Sequence, residues 1–67
     1  MNAAALDERV GVLVVEDSPD QLDLLRTNFE RAGCRVTAVP TAEAAISAYT
    51  DSVPDLAVID LVLPGMS

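Results

Sequence analysis

The run Val10-Gly11-Val12-Leu13-Val14-Val15 is almost unbroken apolar sequence, mostly β-branched, and it ends in two adjacent carboxylates, Glu16 and Asp17. A short run of this kind, bounded by turn signals, reads as a strand buried on both faces. Such strands occur almost only in parallel sheets covered by helices on both sides. Ligands in such sheets bind beyond the carboxyl ends of the strands. Glu16 and Asp17 therefore stand where a binding site is expected.

The rest of the chain supplies what a parallel sheet needs. Ser18 reads as an N-cap, Pro19 fits the first helical position, and Gln21 lies three residues after the cap. Asp20 and Asp23 add negative charge at the positive end of the helix dipole. Leu22, Leu25, Phe29 and Ala32 recur at helical spacing and define a packing face, and Gly33 suits a left-handed C-cap. The helix is predicted over about 19–32. A second strand is predicted over 34–39, where Arg35 and Thr37 alternate with Val36 and Ala38, a pattern that suits an edge. Pro40 ends it. Thr41 can cap a second helix over about 42–50, with Ala45, Ile46 and Tyr49 on one face. Val53-Pro54-Asp55 breaks that helix, and Leu56-Ala57-Val58-Ile59 forms a third apolar strand closed by Asp60.

Strand, helix, strand, helix, strand implies parallel pairing through helical crossovers. With the most apolar strands, the first and third, side by side, the sheet order is 2-1-3. Glu16, Asp17 and Asp60 then converge at one edge. Taken singly, an acidic residue at a strand end is more often just solvated charge. The three together are a sharper signal, because Asp60 interrupts an apolar run that Leu61, Val62 and Leu63 resume. Crowded carboxylates repel and raise at least one pKa, and a hard divalent cation relieves this. Mg²⁺ suits such a site: it takes one or two carboxylates, keeps several waters, and leaves room for a phosphoryl oxygen.

Composition removes other chemistries. The 67 residues contain no histidine, so no imidazole acts as base, nucleophile or ligand. They contain no lysine, which excludes Schiff-base chemistry and a P-loop. The formal charge is −7, and the four basic residues, Arg9, Arg26, Arg31 and Arg35, form no patch, so nucleic acid is not an expected partner of this segment. The single Cys34 reads as a small buried hydrophobe. No run is long enough for a membrane span and the first residues lack a signal-peptide pattern, so the chain is expected to be cytoplasmic.

Val12-Leu13-Val14-Val15-Glu16-Asp17-Ser18 resembles the first strand and acidic pair of the receiver domains of two-component response regulators. The stretch from Pro54 to Met66 resembles their third strand, phospho-accepting aspartate and following loop. The resemblance implies that 9–67 are the N-terminal half of a flavodoxin-like receiver fold, a truncated βαβαβ unit in sheet order 2-1-3; residues 1–8, before it, read as a flexible lead-in. It also implies that Asp60 accepts a phosphoryl group from a histidine kinase or phosphotransfer protein. Glu16, Asp17, Asp60 and the backbone carbonyl of Val62 would hold Mg²⁺. No enzymatic turnover is expected.

A receiver domain also uses a hydroxyl residue on its fourth strand and a lysine on its fifth, and neither has a counterpart here. One copy of this chain is therefore expected to lack the usual switch and to be phosphorylated poorly or not at all. A rival expectation is a self-associating assembly module, homodimeric or larger, pairing through the third strand from Leu56 to Asp60, with a vestigial phosphorylation site. A Mg²⁺-dependent phosphohydrolase is a weaker third reading, because the acidic pair and the loop after Asp60 fit receivers better. Turnover of a phosphate ester would favour it.

Overall fold

The computed structural model describes residues 9–60. The 1–8 lead-in and Val62 lie outside the described residues. The elements are β1 (Gly11–Glu16), α1 (Pro19–Arg31), β2 (Arg35–Val39), α2 (Ala42–Asp51) and β3 (Leu56–Asp60). The sheet order is β2-β1-β3, and β1 is parallel to both neighbours. This is the α/β arrangement and strand order expected from the sequence.

β1 is the core. It has a strand on each side and a helix against each face, so all six of its residues are buried, with Val14 fully inaccessible. The faces follow from the pleat. Leu13 and Thr37 line a small recess with Ala48 and Ser52, which places α2 on their side of the sheet. Ala38, the next residue along β2, lines a recess with Leu22 and Arg26 and places α1 on the other.

α1 begins as its sequence dictates. Ser18 has extended backbone angles, its hydroxyl accepts from the Gln21 N–H at 3.5 Å, and Pro19 follows. The helix ends at Arg31 with Ala32 as C-cap. Gly33 then takes φ +92°, the Gly33 N–H donates to the Glu30 carbonyl, and the Cys34 N–H donates to the Phe29 carbonyl. This pair of bonds is a Schellman cap, and it requires a residue that tolerates positive φ. It also engages the Cys34 N–H, which is why β2 starts at Arg35 and not at Cys34. Cys34 is only half-buried.

Two packing expectations are corrected. Ala32 is exposed, because it caps the helix and lies past its packing face. On α2, Ile46 and Tyr49 are 68% and 53% exposed, while Ala44, Ala45 and Ala48 are half-buried. The helix turns its alanines to the sheet, which lets the backbones approach, and the larger residues are left outside. β3 is paired on one side only among the described residues, and Leu56 and Ile59 are 46% and 67% exposed.

Candidate functional site

The parallel register pairs Val15 with Ile59 and Glu16 with Asp60, so both strands end together. Asp17 is the next residue after β1, and α1 starts two residues later, at Pro19. Two acids on β1 and its exit, and one on β3, are thus delivered to one edge of the sheet by the strand register.

The three carboxylates are not equivalent. Glu16 is 3% exposed, while Asp17 and Asp60 are exposed. The Glu16 carboxylate turns back along the chain, and its Oε1 accepts the Ser18 N–H at 2.9 Å. That bond pulls its pKa down. Burial and side-chain hydrogen bonds to Asp17 and Asp60, with the negative charge of Asp60, outweigh it and leave the carboxyl above its ordinary value. Glu16 is therefore the inner acid, and both outer ones raise its pKa.

Among the described residues, no three acid, cysteine or histidine side chains lie close enough together to hold a metal ion as a group. The donor set is nonetheless one that a hard cation accepts. It consists only of carboxylate oxygens, two of the carboxylates are open to water, and burial, with the neighbouring acids adding to it, raises the pKa of the third. An ion that takes one or two carboxylates and keeps its other waters fits this edge. The fourth ligand implied by the resemblance, the Val62 carbonyl, lies outside the described residues.

One residue at the opposite edge escaped sequence reasoning. Asp55 reads as part of a helix-breaking turn, yet its carboxylate Oδ2 accepts the Gly11 N–H at 2.8 Å and its own N–H donates to the Gly11 carbonyl at 2.8 Å. These partners are 44 residues apart, and no local pattern announces such a bond.

An open parallel sheet with helices on both faces and acids at the carboxyl ends of adjacent strands defines a doubly wound protein with its site at the strand ends. Residues 12–67 match the response regulator receiver domain family, and the chain belongs to that family. Over 58 residues it is 41% identical to a 14.6 kDa protein of Leptolyngbya boryana, covering 87% of this chain and 44% of that protein. Over 56 residues it is 48% identical to the two-component response regulator PhoP of Pseudomonas aeruginosa, covering 84% and 25%. Over 55 residues it is 40% identical to the sensor protein GacS of Pseudomonas syringae, covering 82% and 6%. The chain thus spans less than half the length of these relatives. No solved structure matches it significantly. No helix among the described residues is long and apolar enough to cross a membrane.

Proposed function

We propose that the chain is a phosphorelay module whose Asp60 accepts a phosphoryl group from a histidine of a kinase or phosphotransfer protein, in the cytoplasm. The observation that carries this is the register pairing of buried Glu16 with exposed Asp60 at the carboxyl edge of the sheet. An Asp60 carboxylate oxygen attacks phosphorus in line, the P–N bond to the donor imidazole breaks, and that electron pair returns to the ring nitrogen. Glu16 and Asp17 would hold a Mg²⁺ ion, which would supply positive charge to offset that on the phosphoryl oxygens. Exposure of Asp60 gives a donor in trans access to it. These 67 residues contain no histidine, so the donor group lies outside them. A relative named as a sensor protein and another named as a response regulator support partners of the kinase class. The chain takes up one phosphoryl group and is not itself an enzyme.

As a 67-residue polypeptide it has no lysine to hold the phosphoryl oxygens, so transfer is slow and moves the backbone little. The test is incubation with Mg²⁺ and acetyl phosphate, read by intact mass. The expected result is a partial single-phosphate increment that needs Mg²⁺ and is lost in Asp60→Asn. An increment that survives Asp60→Asn, or none in the native chain, overturns the assignment.

A second reading is favoured by one observation, the half-exposed apolar strand β3. The polypeptide self-associates along that strand, through the backbone groups that have no strand partner among the described residues and template another strand.

A further inference from the structure

β3 is a poor judge of its own register. Leu56, Ala57, Val58 and Ile59 are all apolar, and only Val58 is even half-buried. Register is strongly specified where one face of a strand is buried against polar alternatives, and weakly specified otherwise. A slip of two residues would keep each side chain on its face and move Asp60 about 7 Å along the sheet, away from Glu16. Something outside the strand's own pattern must hold the pairing.

Asp55 is placed to do this. It directly precedes β3, and its main-chain N–H and side-chain Oδ2 hold the carbonyl and the N–H of one residue, Gly11, the first of β1. In a parallel ladder the Gly11 N–H needs a carbonyl from the neighbouring strand. The chain enters β3 through Val53 and Pro54, and the Asp55 carboxylate supplies the acceptor instead. Gly11 is buried and this bond is part-buried, so the N–H depends largely on a partner from the protein. The Arg35 guanidinium lies over the same residue: its nearest nitrogen is 2.6 Å, and Asp55 Oδ2 is 3.5 Å, from where a β-carbon on Gly11 would stand. The absence of a side chain at Gly11 leaves room for both.

We infer that Asp55 is a positioning residue for Asp60: its two bonds to Gly11 lock β3 in the register that sets Asp60 beside Glu16 at the far edge of the sheet. The effect on register stands alone. Its consequence for phosphoryl transfer rests on the assignment of Asp60 as acceptor.

The test compares Asp55→Ala, which lacks the acceptor, with Asp55→Asn, whose side-chain oxygen can take the same N–H, in the full 67-residue chain. Cross-strand NMR contacts between Val14 and Val58 report register, Mn²⁺ broadening of the Glu16 and Asp60 signals reports the pocket, and intact mass reports phosphate on Asp60. Phe29→Leu, on α1, is the control for loss of stability alone. Asp55→Ala should lose the native contacts and reduce Mn²⁺ affinity and phosphate uptake at least tenfold. Asp55→Asn should restore both to within about twofold, and Phe29→Leu should leave them unchanged. Native contacts and unchanged Mn²⁺ broadening in Asp55→Ala would overturn the inference, and so would an Asn variant that behaves like Ala. If Asp55→Ala does not fold, the Asn variant decides: native register and pocket support the clamp, and their loss overturns it. Absence of phosphate uptake in the native chain would sink the acceptor assignment while leaving the register result readable.

Discussion

Glu16 is where composition, burial and charge meet. A carboxyl whose pKa is raised on folding binds its proton more tightly in the folded state than in the unfolded chain. Unfolding then releases protons. The group's favourable contribution is complete below its unfolded pKa and is lost as pH rises through the higher folded value. Glu16→Gln keeps an oxygen for the Ser18 N–H and removes the titrating charge. Without metal, the native chain should therefore lose more stability than Glu16→Gln as pH rises through and just above the carboxylate range. Urea denaturation at a series of pH values measures this. Parallel pH profiles for the two proteins would mean that Glu16 is not the acid that carries the strain.

Each helix is started by a hydroxyl that precedes it. Thr41 Oγ1 accepts from the Ala44 N–H at 3.0 Å, and Ser18 Oγ accepts from the Gln21 N–H at 3.5 Å. Loss of a cap of this kind costs about 0.5–2 kcal/mol, and a bond at the long limit of hydrogen-bond distance should fall at the low end. Thr41→Ala should therefore destabilise by about 1 kcal/mol and Ser18→Ala by less, measured as midpoint shifts in urea. An equal or larger loss in Ser18→Ala would show that its hydroxyl bond is shorter in solution. The Asp55 clamp belongs to the same scale. Removing its acceptor leaves a buried N–H unpaired, a cost of about 1–3 kcal/mol, which is enough to compete with the preference of a mostly exposed strand for one register.

At the scale of the molecule, the sheet of the described residues has one buried strand and two edges. The β3 edge is the more adhesive, because it is apolar and exposed at Leu56 and Ile59, whereas β2 carries Arg35 and Thr37. Two copies related by a two-fold axis perpendicular to the sheet could pair β3 with β3 antiparallel, giving the order 2-1-3-3-1-2. The two acid edges would then point to opposite ends, so neither copy completes the other's site. Sedimentation of the 67-residue polypeptide should show a dimer or larger species at micromolar concentration. Val58→Pro, which removes a ladder donor, should dissociate or unfold it. A folded chain that stays monomeric at high concentration would rule this assembly out.

Local chemistry was enough to determine the elements. The β-branched run of β1, the Ser18 and Thr41 caps, Gly33 after α1 and the break at Pro54 act over a few residues, so their outcome is readable in order along the chain. The order 2-1-3 and the meeting of Glu16 with Asp60 followed too, because parallel crossovers leave few topologies and strand ends carry their residues with them. Tertiary structure decided what depends on neighbours distant in sequence. Periodicity assigns a residue to a helix face but not the distance of that face from the sheet, so only packing showed that α2 lays its alanines down and turns Ile46 and Tyr49 out. Adjacent acids look alike in sequence, yet the pleat buries Glu16 inside the sheet while Asp17, past the strand end, meets water. The bonds of Asp55 to Gly11 join residues 44 positions apart, and they exist only once β1 and β3 lie side by side.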